Sequence, residues 1–323
     1  MIYYVSSVIL VTFPHDVQTR IFMTSLNHSI RLIRPKQWIK NLFVFAPLIF
    51  SKELFSASYR IEALKAFVGF CLIASSVYII NDILDAEADR AHPEKKNRPI
   101  ASGAISPKGA LGILALLGAL GAFTLSGMRP LYLIILGLYF LLNMGYSFKL
   151  KEVVLLDVFI IATGFMMRVL AGAFAIDVQL SSWIVLCTMF ISLFLGFAKR
   201  RAEIVTMQEV GASSERKVLL AYRVDFIDQM LTISAAGTVI CYALYTVAPR
   251  TLEVFGTDRL IYTTVFVIYG VFRYLFLIHS SRSTENPTNA VTSDPTIIIT
   301  GLLWIFSCIL LIYFGGAIKS VIY

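Results

Sequence analysis

The sequence predicts an all-α, polytopic membrane protein of about nine transmembrane helices, and three observations carry that expectation. The 323-residue chain is 58% hydrophobic and 15% charged, with a mean hydropathy of +0.77, a balance foreign to water-soluble domains. Its apolar residues gather into nine segments, roughly 36–51, 61–82, 108–127, 130–148, 153–174, 182–198, 228–248, 259–279 and 296–317. Each suits a hydrocarbon core of about 30 Å, the first as a tilted or half-buried element. Lipid offers no partner to an open backbone, so the segments are read as helices. The third observation is charge placement. With the N-terminus in the cytoplasm and loops assigned alternately, 19 of the 28 Lys and Arg residues fall on the cytoplasmic side and 7 on the other. Arg168 and Arg273 lie within spans. That asymmetry sets a multi-pass, inner-membrane orientation by the positive-inside rule and places the chemistry at the cytoplasmic face.

Residues 30–323 are expected to form one integral-membrane domain, preceded by an arm, 1–29, that is poorly ordered or interfacial. The first 13 residues are apolar but carry no basic start and no small-residue cleavage site, so they are not read as a signal peptide. Met23 is an alternative start. Arg34-Pro35 opens the first helix, because proline is tolerated in a first turn. Lys36 with Lys40, and Gln37 with Asn41, are spaced i,i+4 and share faces. The two lysines serve either substrate contact or membrane anchoring beside Trp38.

The second helix ends in Asn81-Asp82-Ile83-Leu84-Asp85-Ala86-Glu87-Ala88-Asp89-Arg90, and Pro93 stops it. On a continuous helix Asp82, Asp85 and Asp89 fall within about 60° of one another, with Asn81 beside them. A solvated cap needs one acid; three in register repel unless a cation joins them. Hard oxygen ligands suit Mg²⁺, which bridges to substrate phosphates. Asp82, Asp85, Asn81 and Asp89 are therefore the candidate metal ligands, and Arg90, Lys95, Lys96 and Arg98 stand ready for the phosphate. His92 is read either as a phosphate contact or as a helix-end residue. Pro99 and Gly103 shape a loop of the kind that serves as a lid or binding loop.

The fourth helix ends with Tyr146 and Lys149 on one face, followed by Lys151. The fifth carries Asp157 near its cytoplasmic end and Arg168 eleven residues deeper. They point the same way but lie about 16 Å apart along the axis, too far to pair. Ionisable groups within spans are functional candidates by default. The sixth ends Lys199-Arg200-Arg201-Ala202-Glu203, cations that suit a helix C-terminus and also anion capture. Lys199 and Glu203 are spaced to support each other. Residues 204–227 are expected to lie near the membrane as a short amphipathic helix, with Tyr222 and Asp228 at its far end. Asp294-Pro295 starts the last helix. Cys71, Cys187, Cys241 and Cys308 all fall in apolar segments without CxxC spacing and are read as packing residues. No repeats are visible.

An NDxxDxxxD run at the cytoplasmic end of helix two, in a chain of this helix number, resembles the UbiA superfamily of intramembrane transferases. The stretches Arg34 to Asn41, Asn81 to Pro99, Tyr146 to Lys151, Arg168-Val169-Leu170-Ala171-Gly172 and Lys199 to Glu203 are similar to its decaprenyl-phosphate phosphoribosyltransferase branch. The resemblance covers roughly residues 30–318. It implies a helical bundle around a central cavity open to the cytoplasm. It also implies Mg²⁺-dependent transfer of 5-phosphoribose from phosphoribosyl pyrophosphate (PRPP) to a polyprenyl phosphate, for arabinose-donor synthesis in the cell envelope. Ordinary members move a prenyl group from a diphosphate to an aromatic or quinone-precursor acceptor and carry a second aspartate-rich motif after helix six. Here that place is Lys199-Arg200-Arg201-Ala202-Glu203, which suits extra phosphates better than a second metal. Lys36, Arg98 and Lys199 are then candidate pyrophosphate clamps, and Lys149, Lys151 and Arg200 candidates for the 5-phosphate or lipid phosphate. Lys40, Arg90, Lys95, Tyr146, Arg168, Glu203 and Tyr222 complete the expected substrate-binding set. Asp157 is left open between a metal ligand and a holder of a ribose hydroxyl. No nucleic-acid partner is expected. A homo-oligomer is compatible with the apolar faces, since surfaces that meet lipid and surfaces that meet a subunit read alike.

Overall fold

The computed structural model describes residues 26–91, 95–210, 217–280 and 293–322, so most of the expected N-terminal arm, His92 and Pro93 lie outside the described residues. Among them the chain is helical, without a strand. Helix α1 covers residues 26–33. A 3₁₀ segment, Pro35–Phe45, leads into α2, Ala46–Phe50. Then follow α3 (Ala57–Leu84), α4 (Ala86–Ala91), α5 (Pro107–Leu125), α6 (Pro130–Phe148), α7 (Leu156–Ile176) and α8 (Ser182–Val210). The chain continues through α9 (Lys217–Ala221), α10 (Val224–Val247), α11 (Pro249–Phe255), α12 (Thr264–Ser280) and α13 (Pro295–Ile322).

Eight helices among the described residues are long and apolar enough to cross a membrane: α3, α5, α6, α7, α8, α10, α12 and α13. The first of the nine expected segments is the exception. Residues 36–51 form the 3₁₀ segment and short α2, a break favoured by prolines at the start of each piece and by Lys36, Lys40 and Asn41 within it. The 3₁₀ segment instead packs against α3 and α7. Gly172 makes the second contact, for a Cβ there would sit 2.0 Å from the Val44 carbonyl oxygen. Only glycine lets the two backbones approach so closely.

The spanning helices alternate in direction, and polar contacts tie both ends of the bundle. Arg201, on α8, donates to Asp228 at 2.7 Å and to the Ile278 carbonyl at 2.8 Å, joining α8, α10 and α12 at the acidic end. Arg129 and Asp177 pair at 2.9 Å at the opposite end. Helix starts follow the sequence signals. Ser106 accepts from the Gly109 N–H at 3.1 Å before Pro107, and Asp294 accepts from the Ile297 N–H at 2.8 Å before Pro295. One apolar cluster binds α3, α6, α7 and the first segment, and another binds α7, α8, α10 and α12. The outer faces of α5, α6 and α13 stay apolar and exposed, with Phe123, Leu141 and Phe306 among them, as a lipid-facing surface requires.

Candidate active site

Helix α3 delivers the acidic residues, but not as one uninterrupted stripe. It ends at Leu84 with Asp85 as its cap, and α4 begins one residue later. The Asp89 N–H still bonds the Asp85 carbonyl at 2.8 Å, so the interruption is slight. Asp82 and Asp89 point inward, 2% and 3% exposed, while Asp85 is half-buried.

The expected cage of three carboxylates is not assembled: no group of three or more potential metal ligands comes together among the described residues. Guanidinium groups stand between the acids instead. Arg98 bonds Asp89 Oδ2 at 2.6 Å and Asp82 Oδ1 at 3.1 Å. Arg34 bonds the same Asp82 oxygen at 2.6 Å. Asp82 Oδ2 remains buried without a hydrogen-bond partner. A buried carboxylate oxygen left this way is costly and fits a hard cation.

The acidic tip is wired to its neighbours. Asn81 Oδ1 accepts from Ser147 Oγ, at the end of α6, at 2.8 Å. The adjacent Tyr146 hydroxyl accepts from Arg200, on α8, at 2.9 Å. Arg200 is fully buried and faces two carboxylates. Its Nε lies 2.5 Å from Asp157 Oδ2, and it also pairs with Glu203. The other Asp157 oxygen accepts from Tyr222 at 2.7 Å, and the Tyr222 hydroxyl accepts from the Leu155 N–H at 2.6 Å. Leu155 has φ +68° just before α7, so Tyr222 holds a strained turn in place. Burial, and then its bond to Asp157, push the Tyr222 phenol above its ordinary pKa. Asp157, Tyr146, Arg200, Glu203 and Tyr222 thus form one closed network. Read from the sequence as substrate contacts, and Asp157 as a metal ligand or a holder of a ribose hydroxyl, they are occupied with one another.

Arg168 is likewise engaged. It is 5% exposed and donates to Asn41 Oδ1 at 2.8 Å, to the Gly164 carbonyl at 2.6 Å and to Tyr139 at 3.0 Å. Its guanidinium also lies over the rings of Phe70, Tyr139 and Phe165. None of these partners is a carboxylate. Sequence reading singled out Arg168 but missed Tyr139, and it left Asn41, Arg34 and Ser147 out of the site. Only the cation Arg34, two residues from Lys36, gave a usable signal.

The remaining cations vary in setting. Lys36, Arg90 and Lys149 are exposed, and Lys95 and Lys151 half-buried; Arg90 Nε reaches the Ala101 carbonyl at 3.3 Å. Lys199 lies 4.0 Å from Glu203. Lys40 is half-buried and has no carboxylate or hydrogen-bond partner among the described residues.

The ends of α3, α6, α7 and α8 thus meet around one acidic tip and several cations. The pattern of the UbiA prenyltransferase family matches residues 44–291. The chain belongs to the UbiA prenyltransferase family. It is 35% identical over 296 residues to the decaprenyl-phosphate phosphoribosyltransferase of Mycolicibacterium smegmatis, covering 88% of this chain and 92% of that one. It is 33% identical over 291 residues to the enzyme of the same name from Corynebacterium glutamicum, covering 88% and 86%. Among solved structures, a UbiA homolog from Archaeoglobus fulgidus bound to GPP and Mg²⁺ shares the fold at a TM-score of 0.65. It is 20% identical in sequence, and the match covers 87% of this chain and 99% of that one.

Proposed function

We propose that this membrane transferase moves 5-phosphoribose from PRPP to a polyprenyl phosphate and releases pyrophosphate. The observation that carries the reading is the make-up of the converging helix ends. There is one acidic tip, and opposite it an α8 end that is cationic, in a chain similar along most of its length to two phosphoribosyltransferases. Two metal-held diphosphate sites would call for a second acidic cluster. Three phosphate-bearing groups call for cations.

In this reading Asp82, with Asp85, Asn81 and Asp89 from the same helix tip, would hold Mg²⁺. A divalent cation there supplies charge neutralisation for the departing pyrophosphate. Arg34 and Arg98, now on Asp82 and Asp89, would be free to bind phosphate oxygens once a cation neutralised those carboxylates. Lys36 adds a further cation to the pyrophosphate, and Lys149 and Lys151 are candidates for the 5-phosphate or the lipid phosphate. The bond from the anomeric carbon to pyrophosphate breaks with oxocarbenium character, as in glycosyl transfer generally. A lipid phosphate oxygen bonds the same carbon from the opposite face and inverts it. The acceptor is already an anion, so no general base is required. The Arg200 network positions the ends of α6, α7 and α8 around this chemistry.

The lipid tail has a path. Between α8, α10, α12, α13 and the first segment lies an almost wholly apolar cavity of about 360 Å³. The site faces the cytoplasm in this reading, and the product feeds arabinose donors of the cell envelope. The test is pyrophosphate release by detergent-purified protein given Mg²⁺, PRPP and a polyprenyl phosphate. Asp82→Ala should lower it about 100-fold or more. Turnover of a prenyl diphosphate with an aromatic acid, and none of PRPP, would overturn the reading.

A further inference from the structure

We propose that the phosphate of the acceptor lipid seats on Lys40 and Lys199 at the mouth of the apolar cavity, apart from the acidic tip that takes the donor. The inference rests on the phosphoribosyl-transfer reading above and divides its site in two.

Two rows of side chains point to this seat. Along a 3₁₀ segment, side chains three residues apart eclipse. Lys40, Phe43 and Ala46 therefore form one row, and Phe43 and Ala46 are cavity wall. On α8 the cavity-lining Ile184, Thr188, Ile191 and Leu195 recur at helical spacing, and Lys199 continues that face one turn further. Each row runs from apolar wall to ammonium toward the acidic end of the bundle. The two ammonium groups lie near enough for Lys199, with Arg168 and Arg34, to act on Lys40.

The charge around Lys40 is unbalanced. Arg34 is taken by Asp82, and Lys199 shares Glu203 with Arg200. Among the described residues Arg168 is held by neutral groups, and Lys40 by no carboxylate. A half-buried cation in this state calls for an anion. An anion on an apolar stem satisfies both cation and cavity. PRPP has no apolar part and gains nothing from the cavity.

Binding of farnesyl phosphate, farnesol and inorganic phosphate to the full-length protein in detergent tests the seat without turnover. Lys40→Met should weaken farnesyl phosphate about tenfold or more, a loss of about 1.4 kcal/mol, and leave farnesol unchanged. The substitution removes an uncompensated charge, so the protein should stay folded. Lys40→Arg should restore binding. Gly301→Leu, whose Cβ would meet nothing within 4 Å, should fill the cavity and weaken phosphate and alcohol alike. In turnover, Lys40→Met should raise KM for the lipid and spare KM for PRPP. The seat is overturned if Lys40→Met and Lys199→Met bind farnesyl phosphate like wild type, or if Lys40→Met raises KM for PRPP alone. Should PRPP prove not to be a substrate, the phosphoribosyl reading falls while the binding arms still decide the seat.

Discussion

Arg200→Met should be among the most destabilising substitutions in the bundle. Arg200 and Asp157 are both 0% exposed, and the pair ties α8 to the first turn of α7. Removing the guanidinium leaves Asp157 with Tyr222 alone and strips Glu203 and Tyr146 of their shared donor. Losing one partner of a buried pair costs about 3–5 kcal/mol, because the other charge stays buried without compensation. Asp157→Asn should cost less, since Arg200 keeps Glu203 and the amide still accepts from Tyr222. The double variant Asp157→Leu with Arg200→Met should recover part of the loss, because no lone charge remains. Unfolding free energies from denaturant titration in mild detergent close the double-mutant cycle. A wild-type stability for Arg200→Met, or a double variant worse than the sum of the single ones, would refute the reasoning.

Further outcomes follow from the same geometry. Gly172→Val should lower stability and activity together, since its Cβ would strike the Val44 carbonyl; thermal melts beside wild type check this. Tyr222→Phe should cost about 1–2 kcal/mol, the worth of an acceptor lost to the Leu155 N–H and a donor lost to Asp157, read by the same titration. Burial first, then Lys199, Arg168 and Arg34, bring the Lys40 pKa down from 10.5 to about 7. Helix α3 faces the same segment with Cys71, Tyr78 and Asp82. A depressed lysine costs stability in full below pH 7 and less as pH rises toward 10.5, because the unfolded chain binds the extra proton in that window. Ligand-free protein should therefore gain stability from pH 7 to 9 through Lys40, and Lys40→Met should abolish that contribution. Over the same range affinity for a lipid phosphate should fall by up to about tenfold per pH unit, and Lys40→Arg should flatten the fall.

The bundle was legible because its signals are local. Apolar runs, and Asp294-Pro295 at the start of the last helix, each act within one turn. The acidic tip was legible for the same reason. The wiring was not, since its partners lie far apart in sequence: Arg168 meets Asn41 across 127 residues, and Tyr222 meets Asp157 across 65. Spacing rules exclude pairs, as they did for Asp157 with Arg168, but do not supply the true partner. The first apolar segment misled because its length suggested a span, whereas its prolines and polar residues favour a 3₁₀ turn held against Gly172.

The charge balance explains why the two substrates need not compete for one seat. At the acidic tip Asp82 and Asp89 are matched by Arg34 and Arg98, so a cation held there would take over carboxylates that now hold guanidinium groups, and would leave those groups for phosphate. Beside α7, Asp157 and Glu203 are matched by Arg200, which makes that network a brace, and Lys199 stands at its edge, 4.0 Å from Glu203. Among the described residues Lys40 and Arg168 are left over, one without a carboxylate and one held by neutral groups. Burying two cations without counter-ions is costly unless a ligand completes the set. A dianionic lipid phosphate would cancel that excess. The same arithmetic predicts that acceptor phosphate binding stabilises the protein against unfolding more than donor binding does.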